Sequence, residues 1–350
     1  MARDTKESII NPTVSIIIPH FKNQDILHNC LDSIFASDCT ESIEVIIVDN
    51  GNNEYIKSTK NSFPEIIILN PNKNIGYAGG CNFGAEKARG EFLFFLNDDT
   101  TINKKCISKL INKIQVDKKI GSAQPKILNE KHKNYFDYAG GTGGFIDIFC
   151  YPFTRGRIFN TIETDEKQYD NDKKLFWASG CAFITIKKIF LKIGGFDETL
   201  FAHMEEIDYH WKLHLMGYNT MSCTESVVYH KGAMTLPTES PMKTYLNHRN
   251  NLLLFITNHN FFITALLSCV RLPLELISLI YNLFKGPKHC IAHIGGIIWI
   301  IFHPFYIIKR KMNINKIKSK PLYSIIKKMY LGSVVLNYFI FRRKKYSDIF

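Results

Sequence analysis

The sequence predicts an α/β protein built on a mostly parallel sheet with helices on both faces. Three observations carry that prediction. Short apolar runs rich in β-branched residues recur through the first hundred positions, segments with helical spacing separate them, and polar residues follow the runs rather than interrupt them. Residues 14–19, VSIIIP, read as a first buried strand, and residues 24–36 place Ile26, Leu27, Leu31, Ile34 and Phe35 at helical spacing. IEVIIVDN (43–50) and EIIILN (65–70) read as two further buried strands. Residues 78–87 predict a helix, EFLFFLNDD a fourth strand, and residues 103–116 an amphipathic helix. A Gly-rich aromatic stretch (138–151) and a polar loop (161–174) precede LFWASGCAFITI (175–186), which reads as one strand. Residues 189–193 form a short helix closed by Gly194-Gly195, and residues 201–216 an amphipathic helix stopped by Gly217. SVVYHKG (226–232) is one more strand and residues 244–257 a helix.

After His259 the character changes. Residues 261–350 hold fifteen Lys or Arg against Glu275 and Asp348, a net +13, so the rest of the chain carries −1 of the total +12. Because these cations are interleaved with long apolar runs, they point to a bilayer surface and away from nucleic acid. Residues 261–284 and 290–308 have the length of a membrane span. The lysines between them argue instead for helices lying in the cytoplasmic leaflet, with a soluble helical subdomain as the other reading. Nine cysteines without a CxxC pair fit reduced thiols. MARDTKESIINPT has no apolar core of a signal peptide, so a cytoplasmic location, peripheral on the inner face of the membrane, is expected.

Parallel sheets bind ligands beyond the carboxyl ends of their strands. There the chain places Pro19-His20, Asp49-Asn50-Gly51 and Asn97-Asp98-Asp99. Adjacent carboxylates repel unless a cation or proton intervenes, and hard oxygen ligands suit Mg²⁺ or Mn²⁺; the same pair also reads as a helix N-cap. Asp49 can accept from a ribose or base, or close an Asx turn. NKNIGYAGGCNFG (72–84) permits close backbone approach and could turn a helix N-terminus toward phosphate, or serve tight packing. Neither GxGxxG nor Walker A nor HExxH is present. FAHMEEIDYHWK gathers Glu205, Glu206 and Asp208 within one turn, which raises at least one carboxyl pKa as a general base requires; an acidic helix start has the same composition. His230 closes a strand as a metal or phosphate ligand or as a satisfied histidine, and Arg249 offers a fork suited to a pyrophosphate or a surface ion pair.

Together, VSIIIPHFKN, IIVDNGN, NKNIGYAGGCNFG, FLNDDT, WASGCAF, GGFDE, FAHMEEID and YHKG resemble, in order, family 2 glycosyltransferases of the GT-A fold, in the rhamnosyltransferase-like branch of bacterial surface polysaccharide synthesis. The resemblance spans roughly residues 12–260. It implies inverting transfer from a nucleotide-diphosphate sugar (a UDP- or dTDP-sugar) to a saccharide or polyprenyl-diphosphate-linked acceptor. It divides the chain into a donor half (1–130), an acceptor and catalytic half (131–260) and a membrane-associated tail (261–350). Carried over by position, Pro19, His20 and Asp49 hold the nucleoside, and Asn74, Gly76 and Gly79 line the donor site. The metal motif falls on Asn97-Asp98-Asp99, with Asp99 the safer ligand and His230 assisting. Relatives show Glu-Asp-x-Asp where this chain has Glu205-Glu206-Ile207-Asp208, which leaves the base between Glu206 and Asp208. Trp177, Ser179, Gly180 and Glu205 face the acceptor. The departures at Asn97 and Glu206 keep open a catalytically silent binding module. A sugar nucleotidyltransferase would need a Gly-rich basic loop after the first strand, which PHFKNQ does not supply.

Overall fold

The computed structural model describes residues 11–232, 240–321 and 323–350. The polar N-terminal stretch read for a signal peptide lies largely outside them. In chain order the elements are β1 (Val14–His20), α1 (Gln24–Phe35), β2 (Ile43–Asp49), α2 (Ile56–Ser62), β3 (Ile67–Leu69), α3 (Gly76–Lys87), β4 (Phe92–Leu96), β5 (Thr100–Ile102), α4 (Cys106–Gln115) and β6 (Ile120–Asn129). Four short strands follow, β7 (Gly144–Ile146), β8 (Pro152–Thr154), β9 (Arg157–Ile158) and β10 (Thr161–Ile162), then β11 (Lys174–Leu175), β12 (Ala182–Ile186), α5 (Lys187–Ile193), α6 (Glu205–Leu215) and β13 (Asn219–His230). Helices α7 (Pro241–Asn258), α8 (Phe261–Lys285), α9 (Pro287–Phe302) and α10 (Pro304–Ile317) complete the long elements.

The main sheet runs β11-β13-β6-β12-β4-β1-β2-β3, with β5 alongside β13. Strands β4, β1, β2 and β3 are mutually parallel, as are β6 and β13; β12 joins these two groups antiparallel to both neighbours. Alternation along each strand divides the core. Ile16 and Ile18 face the layer of α1 and α4, whereas Ile17, with Val48 and Phe95, faces α3, α5 and α6. Each such buried aliphatic side chain contributes about 2 kcal/mol, so register is strongly fixed. A Cβ on Gly84 would sit 2.5 Å from Ile17 Cγ2, which is why α3 needs glycine to lie this close to the sheet.

Several elements differ from the expectations. The run 175–186 is two strands, not one, because Gly180 and the inward-turned Ser179 break the ladder between β11 and β12. The helix expected over 201–216 starts at Glu205, since Phe201, His203 and Met204 hold positive φ of 62°, 67° and 74°. A second, antiparallel sheet, β10-β9-β8-β7, was not foreseen. The tail also packs against the rest of the chain. Arg271 and Arg310 are buried in ion pairs, and the aromatic rings of Tyr346 and Phe350 stack on Phe145 and Phe153 of the second sheet.

Candidate active site

The adjacent carboxylates sit between β4 and β5, and each is met by its own histidine. His20, at the end of β1, places Nδ1 2.7 Å from Asp98 Oδ2, and its Nε2 lies 2.7 Å from the Tyr55 hydroxyl. His230, at the end of β13, places Nε2 3.2 Å from Asp99 Oδ1 and Nδ1 2.7 Å from Asp137 Oδ1. Two neighbouring charges thus diverge to opposite partners. Burial pushes the Asp98 carboxyl up, more than His20 compensates. Burial also acts on Asp99, but His230 outweighs it and holds that carboxyl below its usual range. Burial would lower the His230 imidazole, yet Cys181, Asp99 and Asp137 around it raise it well above the ordinary value.

These geometries sort the expected ligands. Asp98 was expected beside the metal; its hydrogen bond to the fully buried His20 ties β4 to β1 instead, and His20 itself is occupied rather than free for a nucleoside. Asp99 differs: its buried Oδ1 meets only His230 Nε2, at 3.2 Å and outside good hydrogen-bond geometry. A carboxylate oxygen with an imidazole nitrogen that gives up its proton to a cation is a donor set that fits Mg²⁺ or Mn²⁺.

The neighbouring strand end carries Asp49, in register with His20 across the parallel pair. Both its oxygens accept from Asn53, at 2.7 Å from the side-chain amide and 2.9 Å from the backbone N–H, so it closes a turn as well as facing the strand ends. Asn50 donates to the Gly76 carbonyl at 3.0 Å, and Asn74 Oδ1 accepts from the Gly76 N–H at 2.9 Å. Gly76, at φ 74°, has no room for a side chain: a Cβ would lie 2.5 Å from the Phe201 carbonyl oxygen. Gly79 packs against Ile75 in the first turn of α3, and Pro19 lies half-buried beneath the next glycine, Gly80.

The segment before α6 is held in a strained conformation, at roughly 1 kcal/mol or more per left-handed residue. The Asn250 amide lies 2.9, 3.0 and 2.7 Å from the carbonyls of Leu200, Ala202 and His203, and Arg249 donates to those of Thr199 and Leu200 at 2.7 and 3.2 Å. Arg249, expected at a pyrophosphate, is therefore a buried clamp, its guanidinium lodged beside the rings of Tyr245 and Trp299. The clamp presents Glu205 and Glu206 at the N-terminus of α6, each with a buried oxygen lacking a donor. Burial raises both carboxyls: Glu205 far up, with Glu206 adding to it, and Glu206 to about 7, moderated by the backbone N–H groups of the helix start. Asp208, the other candidate base, is excluded by its surroundings. It is fully buried, 2.6 Å from Lys212, paired with Arg310 and bonded by Asn258 at 3.0 Å. Although burial opposes it, Arg310 and Lys212 hold its carboxyl well below the usual range, where it takes no proton near neutrality.

Two expected acceptor contacts also turn inward. The Trp177 indole donates to the Phe145 carbonyl at 2.7 Å and covers Gly144, and the Ser179 hydroxyl donates to the Ala139 carbonyl at 2.8 Å. The Gly180 carbonyl accepts the Tyr77 hydroxyl. Burial, with Cys81, Glu205 and Glu206 adding to it, raises the Tyr77 hydroxyl, and burial, with Asp137 and Asp99 working against His230, raises the Cys181 thiol next to Gly180. Tyr77, Asp137 and Asn250 were not singled out in the sequence. Asn250 had a signal, since it follows Arg249 directly; Asp137 had none.

The model of Glycosyl transferase family 2 matches residues 15–194. The chain is similar to the low-salt glycan biosynthesis hexosyltransferase Agl10 of Haloferax volcanii, with 24% identity over 69% of this chain and 74% of that protein. It is similar to the O-antigen biosynthesis protein RfbC of Myxococcus xanthus, with 23% identity over 63% of this chain but 18% of that much longer protein. Over 29% of its length it is 31% identical to the GalNAc(5)-diNAcBac-PP-undecaprenol beta-1,3-glucosyltransferase of Campylobacter jejuni, of which the match covers 34%. Its fold is similar to that of GalNAc-T7, solved with UDP, GalNAc and Mn²⁺: the TM-score is 0.56 at 15% identity, over 71% of this chain and 48% of the other.

Proposed function

We propose, from the premise that this chain belongs to glycosyl transferase family 2, that it is an inverting transferase moving a sugar from a nucleotide-diphosphate donor to a hydroxyl of a saccharide or lipid-linked saccharide. The observation that supports this reading is two buried carboxylates with oxygens short of hydrogen bonds: Asp99 Oδ1, with only His230 beside it, and Glu206 Oε2 at the start of α6, which acts electrostatically on the Tyr77 hydroxyl bonded to the Gly180 carbonyl. Residues 1–130 supply the donor side, with Asp49, Asn74, Gly76 and Gly79 around the nucleotide, and residues 131–260 the acceptor side, with Glu205 and Gly180 beside the base. Asp99 and His230 would hold Mg²⁺ or Mn²⁺, which when bound neutralises charge on a leaving diphosphate. Glu206, half-buried and with a carboxyl near 7, takes the proton of the attacking hydroxyl; Glu205, held neutral by burial, can donate a hydrogen bond to the same acceptor. A panel of UDP-, dTDP- and GDP-sugars offered to the purified chain with Mn²⁺ tests the proposal. The expected result is cation-dependent release of nucleoside diphosphate, with an inverted anomeric centre in the product. Donor binding without turnover across the panel would favour the silent binding module.

The acceptor's setting follows from the tail. Helix α8 is long and apolar enough to cross a membrane, but one of its faces, with Arg271, Leu274 and Glu275, is buried against the rest of the chain. Its other face exposes Phe262, Leu266, Leu276, Ile280 and Phe284, continued by Ile301, Phe302 and Phe305 across the bent α9–α10 pair. A helix docked along one side and apolar on the other lies in an interface rather than spanning it. The chain is expected to float with anionic phosphatidylglycerol vesicles and to be released in part by salt. Failure to bind any vesicle would return the tail to the soluble-subdomain reading.

A further inference from the structure

Outside the active site, three helices bring a second set of ligating side chains to one point: His248 of α7, Glu275 of α8 and His293 of α9. His248 Nδ1 is 2.9 Å and His293 Nε2 2.6 Å from the same oxygen, Glu275 Oε1, and one ligand atom from each residue lies within 4.8 Å of the others. Two donors on one zinc ion are at most about 4.2 Å apart, so small side-chain adjustments close this set on an ion. The other carboxylate oxygen is held by Arg271, itself fixed by Asn251 at 2.8 Å, which leaves Oε1 as the free donor. Glu275 and His293 are buried, and His248 is half-buried, which gives the point a side open to a metal and a water.

The outward nitrogens carry the decisive detail. A single amide, Asn282, lies 3.1 Å from His248 Nε2 and 3.0 Å from His293 Nδ1, and the two rings stack with centroids 3.5 Å apart. If its NH₂ faces them, each imidazole must carry its proton inward, and the cluster is a closed hydrogen-bond network. With the amide turned over, Oδ1 accepts N–H from both outer nitrogens, and both inner lone pairs point at a carboxylate oxygen. That second arrangement is repulsive unless a cation lies between them, and it is the outer support that metal-bound histidines use. The exchange moves each imidazole proton from one ring nitrogen to the other and needs no net proton. Two imidazoles and one carboxylate suit zinc.

We propose that His248, Glu275 and His293 form a structural site for a zinc-like divalent cation, separate from the active site and independent of the reaction assigned to it. Such an ion staples α8 and α9 to α7 one residue before the Arg249-Asn250 clamp, and so ties the apolar hairpin to the segment that presents Glu206.

The full chain carrying Asp99→Ala, which removes the orphan carboxylate of the active site, is stripped with chelator, dialysed against zinc and assayed for metal content. About one zinc ion per chain is expected, with a raised Tm and an X-ray absorption spectrum showing two imidazoles. His248→Gln combined with His293→Gln should lower zinc affinity at least about tenfold. No retained zinc, or retained zinc without two imidazoles, overturns the site and leaves the cluster as a hydrogen-bond network. The spectrum needs no substitution in the cluster, so it decides the matter even where the double variant fails to fold.

Discussion

Asp99→Ala is expected to lower cation-dependent sugar transfer by about 10³-fold or more while the chain stays folded. The reason lies in what Asp99 does not do. Its Oδ1 meets only His230 Nε2, at 3.2 Å, and His230 keeps the Asp137 carboxylate at 2.7 Å when Asp99 is removed. The loss is one ion pair of a histidine that retains a second carboxylate. The adjacent residue behaves oppositely. Asp98→Ala strips the fully buried His20 of its 2.7 Å partner, and an orphaned buried polar group costs about 1–3 kcal/mol. Rates measured against Mn²⁺ concentration, with urea unfolding alongside, separate the two. Asp99→Ala should flatten the metal dependence with a small shift of the unfolding midpoint, and Asp98→Ala should shift the midpoint further. Normal transfer by Asp99→Ala at all Mn²⁺ concentrations would remove the metal from this strand end.

Much of this arrangement was legible in the sequence, because the strands that carry it are uninterrupted apolar runs. VSIIIP, IEVIIVDN and FLFFL announce β1, β2 and β4, and the rule that ligands meet parallel strands at their carboxyl ends places His20, Asp49 and Asp99 together. Strand β6 was not legible. IGSAQPKILN contains polar residues and a proline, yet Ile120 to Leu128 are buried. Its polar groups are satisfied by long-range partners: Ser122 donates to the Ile184 carbonyl at 3.0 Å, and Lys126 bonds Asp165 at 2.7 Å. Periodicity cannot register such pairings. The roles of Asp208 and Arg249 failed for the same reason. A carboxylate in an acidic triplet reads as a base until Arg310, far along the chain, is seen to neutralise it, and Arg249 reads as a phosphate fork until its guanidinium meets main-chain carbonyls. Residue type gave the chemistry available at these positions; only packing decided which groups were left without partners.

Glu206→Gln tests the remaining orphan, and function and stability should move in opposite directions. To fill the proposed role of accepting the hydroxyl proton, Glu206 must be ionised, so wild-type kcat/KM should rise with pH through an apparent pKa near 7 and level off above it. Glutamine should remove that limb and lower transfer by about 10³-fold, while donor affinity, which the proposal assigns to the glycine-rich turn and Asp49, is retained. Stability carries the opposite sign. Burial raises the folded-state pKa above the unfolded carboxyl's value of about 4.3, so the folded chain binds the proton more tightly. Below about pH 4 both states are protonated and the group costs nothing. As pH rises from there through 7 the unfolded state ionises first, and the penalty grows to about 3.5 kcal/mol above pH 7. Glutamine escapes it, so Glu206→Gln should melt about 5 °C above wild type at pH 8, with the gap closing as pH falls toward 5. A variant that loses transfer because its fold is damaged would instead melt lower at every pH. A Glu206→Gln chain that is inactive, binds donor and is more stable above neutrality therefore identifies a base, because a buried carboxylate kept only for structure would not impose a penalty that vanishes with its charge.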